Sequence, residues 1–168
     1  MRAASRASRI RLLVLDVDGV LTDGGLFFTA SGAETKRFHV HDGLALVAAR
    51  QAGLQIAVLS SRASAAVTRR MAELGVVEVH QGVADKVGAL DALRERLGLA
   101  LAEIAVMGDD LPDLAAMGRA GLALAPANAV AEVKRAADWV ARRRGGDGAV
   151  REAVEMLLKA RRAWPPSS

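Results

Sequence analysis

The stretch that decides the fold is Leu12-Leu13-Val14-Leu15-Asp16-Val17-Asp18-Gly19, an apolar run followed by two aspartates. An unbroken apolar run of this length is typical of a strand buried on both faces, as in a parallel sheet. The Asp-Gly pair that follows is a turn signal. We therefore predict a strand over 10–17 that delivers both carboxylates to the edge of a sheet.

Strand-like and helix-like segments alternate along the rest of the chain. Short apolar runs at 54–59, 76–80, 104–107 and 122–124 predict buried strands, and the segments between them have helical periodicity. Strands that alternate with helices of about ten to fifteen residues indicate βαβ units. The sequence predicts an α/β fold, with a Rossmann-like parallel sheet flanked by helices.

One segment departs from this alternation. Leu26–Phe28 and Thr35–Val40 flank a small, turn-forming stretch, which predicts a protruding β-hairpin over 25–40, after the first strand. The hairpin carries all three phenylalanines of the chain. A two-stranded ribbon is not stable alone, so these rings either fold back onto the core or meet another chain. The sequence leaves both alternatives open.

Length and composition limit the class of protein. A chain of 168 residues with 52% hydrophobic residues has the size and apolar content of one folded domain. We expect that domain over 10–163, with a flexible basic leader over 1–9 and a tail over 164–168. The absence of cysteine excludes disulfides, thiolate metal sites and a cysteine nucleophile.

The charge distribution argues against a nucleic-acid or membrane partner. The net charge is +4, but the basic excess lies at 1–11 and 142–168, whereas acidic residues outnumber basic ones between them. A nucleic-acid binder more often carries a basic stripe across its folded face. No apolar run approaches the roughly 20 residues of a membrane span, and the basic N-terminus lacks a signal-peptide core. We expect a cytoplasmic protein.

Acidic residues follow two of the predicted strands. Asp16 and Asp18 come after the first strand, and Asp109 follows the strand at 104–107. The carboxyl ends of parallel strands meet at one edge, so these carboxylates should converge. Buried carboxylates repel one another and lose hydration, which a divalent cation would offset. Oxygen ligands without nearby His or Cys favour Mg²⁺.

A hydroxyl and a lysine belong to the same edge. Ser60 follows the second strand at a helix start, where backbone amides attract anions, and Lys86 opens a later helix. Nucleophilic carboxylate, metal, hydroxyl and lysine together are what phosphoryl transfer to an aspartate requires. A response-regulator receiver, a phosphate-binding regulatory module, contains the same parts in a different order.

A known family matches both the parts and their order. Four segments resemble the four motifs of the haloacid dehalogenase superfamily of phosphatases: Asp16-Val17-Asp18-Gly19-Val20-Leu21-Thr22-Asp23, Ser60, Lys86 and Gly108-Asp109-Asp110-Leu111-Pro112-Asp113. A narrower resemblance runs from Leu12 to Glu155. It adds Phe38–Leu44, Gln81–Val83 and Gly145–Glu152, and it is to 3-deoxy-D-manno-octulosonate 8-phosphate phosphatases. Three positions depart from that pattern: Ser60 and Ser61 stand where Thr and Gly are usual, and Ala45 stands where Gly is common.

This resemblance implies a reaction and its main residues. Asp16 would be the nucleophile, and Asp18 would act as general acid and then as general base. Mg²⁺ would bind to the carboxylates of Asp16 and Asp109 and to the backbone carbonyl of Asp18. Ser60 and Lys86 would hold the phosphoryl oxygens. The implied activity is release of phosphate from the eight-carbon sugar-acid phosphate in lipopolysaccharide precursor synthesis.

Further residues are implied around this centre. Asp113 lies one helical turn beyond Asp109 and would orient a metal-bound water or Lys86, whereas Asp110 would lie either behind the metal ligands or on the surface. The substrate-binding set comprises Ser60, Ser61, Arg62, Lys86 and Gly43. Arg62 suits a substrate carboxylate through a two-pronged contact. Arg151 would contact an anion at a neighbouring subunit's site.

Assembly and alternatives complete the expectations. The segments between the motifs are too short to hold a cap domain, so closure of the site would come from another subunit, and the family resemblance implies a homotetramer formed through the hairpin. A nine-carbon sugar-acid 9-phosphate is the alternative substrate; in enzymes for it, Glu tends to stand at the Arg62 position. A catalytically silent copy that acts as a binding module is the alternative of a different class.

Overall fold

The computed structural model describes residues 2–165. Its strands are β1 (Leu12–Leu15), β2 (Phe27–Phe28), β3 (Glu34–Thr35), β4 (Gln55–Leu59), β5 (Glu78–His80), β6 (Ile104–Met107), β7 (Leu122–Ala125) and β8 (Trp139–Val140). Its α-helices are α1 (Arg2–Ala7), α2 (Val40–Gln51), α3 (Ala65–Glu73), α4 (Lys86–Leu97), α5 (Leu114–Arg119), α6 (Ala131–Ala136) and α7 (Ala149–Ala160). Within residues 2–165, no helix has the length and apolar character needed to cross a bilayer.

Six of the strands form one parallel sheet in the order β5-β4-β1-β6-β7-β8. The deciding strand β1 lies inside it, with Leu12 opposite both Gln55 and Ile104. Its two neighbours therefore end beside Asp16. This confirms the predicted α/β sheet and places the carboxyl ends of β1, β4 and β6 together.

The core lies on both faces of the sheet. Leu13 and Leu15 point into a layer that includes Leu46 of α2 and Val154 of α7. Leu12 and Val14 point into the opposite layer, which includes buried residues of α4, α5 and α6. Because helices cover both faces, β1 needs apolar residues at every position, and this explains the unbroken run in the sequence.

Helix boundaries follow local capping more closely than apolar periodicity. Asp85 accepts hydrogen bonds from the amides of Val87 and Gly88, so α4 begins at Lys86. The helical segment after β6 begins as a 3₁₀ turn, Leu111–Asp113, and continues as α5.

The N-terminal segment contradicts the prediction of a flexible leader over 1–9. Residues Arg2–Ala7 form α1, and Ala7 is fully buried in the core layer that contains α7. The Arg6 side chain donates to the Gly121 carbonyl at 3.1 Å and pairs with Asp138. Composition alone indicated a solvated end, because it carries no information about contacts with residues far along the chain. Of the predicted tail, residues 166–168 lie outside the described part of the chain.

The predicted hairpin is present, although its paired strands are only two residues each. Phe27 and Phe28 are 52% and 62% exposed, whereas Phe38 packs against the core. Each alternative therefore holds for some of the rings: Phe38 folds back onto the core, and Phe27 and Phe28 remain on the surface. Only this hairpin separates Gly24 from α2, so no cap domain is inserted there.

Candidate active site

The carboxyl ends of β1, β4 and β6 surround an open cavity of about 290 Å³. Its lining contains most of the residues that the sequence analysis singled out: Asp16, Asp18, Gly24, Ser60, Ser61, Arg62, Lys86, Asp109, Asp110, Pro112 and Asp113. They come from four separate loops, which the parallel register of the strands brings to one edge. The convergence expected from the sequence is therefore present.

Lys86 links two carboxylates at the base of this cavity. Its Nζ donates to Asp16 Oδ1 at 2.8 Å and to Asp113 Oδ1 at 2.6 Å. Lys86 is 8% exposed and Asp113 is 3% exposed, so the three charges lie where water screens them little. Of the two tasks predicted for Asp113, the structure supports the orientation of Lys86.

Asp113 also organises the loop after β6. Its second oxygen, Oδ2, accepts hydrogen bonds from the backbone amides of Asp109 at 3.0 Å and Asp110 at 3.3 Å. A Cβ on Gly108 would lie 2.3 Å from the Asp113 side chain, so only glycine fits there. Asp110 caps the following turn through the amide of Leu111 at 2.7 Å. The loop is thus fixed from inside, with Asp109 turned towards Asp16.

The site holds more negative charge than its lysine neutralises. Carboxylate oxygens of Asp16, Asp109 and Asp113 lie within 4.8 Å of one another. Burial, and then the charge of Asp113, raises the pKa of Asp16 to about 6. Burial, and then the charges of Asp16 and Asp113, raises the pKa of Asp109 to about 7. A cluster of carboxylates with this excess of charge fits a divalent cation, and its oxygen-only donors fit Mg²⁺.

The carboxylates that cluster differ from the expected trio in one member. The side chain of Asp113, rather than that of Asp18, lies with Asp16 and Asp109. The Asp18 side chain instead faces Lys36, which donates to its Oδ1, and Arg62, whose Nε lies 3.5 Å from its Oδ2. Since the sequence analysis assigned only the backbone carbonyl of Asp18 to the metal, the two arrangements are compatible.

These raised pKa values predict a pH-dependent response to Mg²⁺. Between its ordinary pKa of 3.8 and about 7, Asp109 holds a proton only in the folded, metal-free protein. Its contribution to stability is therefore lost as pH rises through that interval. Because Mg²⁺ requires ionised carboxylates, its stabilising effect should grow over the same interval. Thermal unfolding with Mg²⁺ and with chelator, from about pH 5 to about pH 8, measures this; an Mg²⁺-induced shift that is equally large at every pH contradicts it.

Sequence analysis missed the residues that support the loop after β1. Gly19 has φ +82°, and a Cβ on it would lie 2.0 Å from Asp109 Oδ2. The Gly19 carbonyl accepts from Asn128 Nδ2 at 2.9 Å, and Asn128 Oδ1 accepts from the Gly145 amide at 2.6 Å. A Cβ on Gly145 would lie 1.8 Å from that carbonyl. The glycines from 145 pack against the loop after β1, and the resemblance at Gly145–Glu152 was the sequence signal for this segment.

The loop after β4 positions Ser60, Ser61 and Arg62. Ser60 is buried, and its Oγ accepts from the Arg62 amide at 3.3 Å, a local contact that starts the turn towards α3. Ser61 is exposed and lines the cavity. Arg62 donates to Glu34 Oε1 at 2.8 Å, so its acidic partners are Glu34 and Asp18.

Two predicted binding residues lie away from this cavity. Gly43, on α2, faces Arg70, whose guanidinium would lie 2.2 Å from a Cβ on Gly43. Arg151, on α7, pairs with Glu155 and lies over the Trp164 ring at 4.6 Å. Neither residue reaches the cavity of its own chain, because α2 and α7 pack together on one face of the sheet.

Asp42, beside Gly43, joins α2 to α7. Its carboxylate is 2% exposed and accepts hydrogen bonds from the amides of Arg151 at 2.8 Å and Gly148 at 3.3 Å. These amides lie at the start of α7, so Asp42 caps that helix from another element. Burial raises the pKa of this carboxyl. The Asp42-Gly43 motif thus has a structural task within one chain.

Comparisons with known proteins find relatives over most of the chain. Residues 72–152 match the family model for haloacid dehalogenase-like hydrolases. The 3-deoxy-D-manno-octulosonate 8-phosphate phosphatase of Escherichia coli K12 is 40% identical over 93% of this chain and 83% of its own. That of Haemophilus influenzae is 41% identical over 92% and 86%.

A solved structure extends the agreement to the whole fold. The Moraxella catarrhalis phosphatase of that name, in complex with magnesium, phosphate and its sugar acid, superposes with a TM-score of 0.94. It is 41% identical, over 96% of this chain and 93% of its own. Identity at this level over nearly the full length excludes the alternative of a receiver domain. The chain belongs to the 3-deoxy-D-manno-octulosonate 8-phosphate phosphatase family of haloacid dehalogenase-like hydrolases.

Proposed function

We propose that this protein is an Mg²⁺-dependent phosphatase that converts 3-deoxy-D-manno-octulosonate 8-phosphate into the free sugar acid and phosphate, a step in lipopolysaccharide precursor synthesis. The observation that carries the proposal is the contact of Lys86 with Asp16 and Asp113 at the base of a cavity that also holds Asp109. The names of relatives with about 40% identity support the choice of substrate.

Asp16 is the proposed nucleophile. Lys86 holds one of its carboxylate oxygens, and the other is free to form a bond to phosphorus as the bond to the sugar oxygen breaks. Asp18 donates a proton to the departing alkoxide. It then takes a proton from the water that attacks the phosphoaspartate, which regenerates the Asp16 carboxylate and releases phosphate. Ser60 and Lys86 bind the remaining phosphoryl oxygens.

The metal would be held by the Asp16 and Asp109 carboxylates and the Asp18 backbone carbonyl. When bound, Mg²⁺ supplies positive charge that offsets the negative charge of the phosphoryl oxygens. Asp113 keeps Lys86 and the Asp109 loop in place through both of its oxygens. Asp110 caps the turn beside them through the Leu111 amide, and we assign it no role in holding Lys86 or the metal.

A phosphate-release assay tests the proposal directly. The panel should contain the eight-carbon sugar-acid phosphate, the nine-carbon 9-phosphate and p-nitrophenyl phosphate, each with Mg²⁺ and with excess chelator. We expect the highest kcat/KM on the eight-carbon substrate and loss of turnover in chelator. Preference for the nine-carbon substrate would replace the proposed substrate, and undiminished turnover in chelator would remove the metal from the mechanism.

Arg62 is the proposed reader of the substrate carboxylate. It lines the cavity two residues after Ser60, and its side chain is 48% exposed, so it is accessible to a ligand. A charge-assisted contact of this kind contributes on the order of 1.5–3 kcal/mol, roughly tenfold to a hundredfold in affinity.

Arg62→Ala should therefore lower kcat/KM for the eight-carbon substrate by about tenfold or more, with little change for p-nitrophenyl phosphate. Arg69→Ala, which removes an exposed arginine paired with Glu73, is the matched control. Equal losses on the two substrates would show that Arg62 supports the loop and does not read the carboxylate.

We also propose that the protein assembles through the hairpin, most simply as the homotetramer implied by the family resemblance. Exposed apolar residues cluster on the hairpin and the start of α2: Leu26, Phe27, Phe28, Val40 and Leu44. An apolar surface of this kind on a protruding element favours a partner of the same chain. The cavity has no cap of its own, so an adjacent subunit would also reduce access of water to it. A contact of Arg151 with a neighbour's site, a substrate-binding role for Gly43, and the cytoplasmic location stay predictions.

Phe27→Ser together with Phe28→Ser should shift the mass measured by light scattering towards the monomer, because both rings are lost from the proposed interface. Val77→Ser is the matched control, since Val77 is 86% exposed but lies before β5, at the other end of the sheet. A wild-type monomer at micromolar concentration would refute the assembly.

A further inference from the structure

Four charged side chains form a closed ion cluster at the mouth of the cavity. Glu34 lies on β3 of the hairpin and Lys36 just after it, whereas Asp18 and Arg62 belong to the loops after β1 and β4. Arg62 Nη2 donates to Glu34 Oε1 at 2.8 Å, and Lys36 Nζ lies 3.3 Å from the same oxygen. Both cations also contact Asp18. The hairpin is thus tied to the loop that carries Arg62.

The members of this cluster differ in exposure. The Lys36 side chain is 1% exposed and that of Glu34 is 14% exposed, whereas the Arg62 side chain is 48% exposed. The hydrogen bond from Arg62, followed by the contact with Lys36, lowers the pKa of Glu34, so this carboxylate is charged at neutral pH. Glu34 therefore presents a half-buried anion to an accessible guanidinium.

We propose that Glu34 is an internal competitor of the substrate carboxylate: it occupies Arg62 in the empty site and is displaced when a sugar acid binds. The inference rests on the proposed function, in which Arg62 reads that carboxylate. In this proposal, Glu34 determines specificity because it sets how strongly the site favours ligands with a carboxylate over ligands without one.

Displacement leaves no buried charge without a partner. When Arg62 turns to a ligand, Glu34 keeps Lys36, whose ammonium lies 3.3 Å away in a nearly inaccessible position. Arg62 exchanges one carboxylate for another and so remains paired. In the empty site, water screens the pair of Glu34 with the half-exposed guanidinium, so a ligand carboxylate that excludes this water can replace Glu34. A neutral ligand makes no such exchange, and for it the presence of Glu34 is irrelevant.

The experiment removes the charge of Glu34 with Glu34→Gln. Inhibition of p-nitrophenyl phosphate hydrolysis is measured with two competitors that differ at one end group, 6-phosphogluconate and sorbitol 6-phosphate. We expect the inhibition constant of 6-phosphogluconate, divided by that of sorbitol 6-phosphate, to fall about twofold to fivefold in the variant, the size of an exposed ion pair. An unchanged or increased ratio overturns the proposal, as does an equal change in both constants, which would indicate a structural role.

Two further variants locate the effect. In the background of Arg62→Ala, Glu34→Gln should no longer change the ratio, because the guanidinium for which the carboxylates compete is gone; a ratio that still falls overturns the proposal. Glu73→Gln is the matched control, since it removes an arginine-paired carboxylate on α3, outside the cavity.

The competitor pair separates this inference from the proposed substrate. Failure of the wild-type protein to release phosphate from the eight-carbon sugar-acid phosphate would refute the proposed function. The ratio of inhibition constants does not depend on that substrate, because both competitors occupy the phosphate site that p-nitrophenyl phosphate uses. A wrong substrate and a wrong role for Glu34 thus give different results.

Discussion

Asp16→Asn is expected to reduce turnover of every phosphate ester by at least about three orders of magnitude, as for loss of other nucleophiles. The amide is nearly isosteric with the carboxylate but cannot attack phosphorus. The fold should survive, because the substitution removes one of three carboxylates that lie within 4.8 Å of one another. In chelator, the variant should be at least as stable as the wild type near neutral pH, where like charges destabilise the folded state.

Phosphate release at saturating substrate, together with thermal unfolding in chelator, measures both effects. Asp91→Asn is the matched control, because Asp91 pairs with Arg94 and Arg119 outside the cavity. A substantial fraction of wild-type kcat in the Asp16 variant would show that another group is the nucleophile. Loss of the folded state would show that Lys86 needs Asp16 as its partner.

Lys86→Met is expected to affect both stability and turnover. It keeps most of the length of the side chain but leaves Asp16 and Asp113 without the ammonium that contacts both. Removal of one partner from a buried ion pair typically costs about 3–5 kcal/mol. In chelator, the free energy of unfolding should fall by about that amount near pH 8 and by less near pH 5, where protonation of Asp16 relieves the repulsion.

Denaturant unfolding at the two pH values measures this loss, and phosphate release measures turnover, which should fall by at least about a hundredfold because the phosphoryl oxygens lose a cation. Lys134→Met is the matched control, since Lys134 is exposed on α6 and contacts only a backbone carbonyl. A stability loss that is equal at both pH values would contradict the electrostatic origin.

Local patterns in the sequence predicted the sheet and the residues of the candidate active site. The unbroken run Leu12–Leu15 indicated a strand buried on both faces, and Asp16, Ser60 and Asp109 were located because they follow strands. In a parallel sheet, the end of a strand is a fixed place, so position along the chain becomes position in space. The motif order then identified the family without knowledge of any contact.

The same reasoning failed where a residue's task depends on a partner far along the chain. Composition indicated a solvated leader, but the α1 residue Ala7 is buried against the core. The resemblance placed Gly43 in the binding set, an assignment that stays a prediction, and only the structure shows that Gly43 packs against Arg70 of another helix. Burial and pairing of these residues depend on how helices dock.

What the sequence determined by itself is the order of strands and helices, the strand ends that carry Asp16 and Asp109, and the family. What only the tertiary structure decided is which charges meet: Lys86 with Asp113, Lys36 with Asp18, and Glu34 with Arg62. The physical reason is that apolar periodicity indicates which residues are buried, and this periodicity is visible in the residue types and their spacing along the chain. An ion pair, in contrast, depends on two separate segments of the chain. Which charges pair is determined by how the hairpin and helices pack onto the sheet.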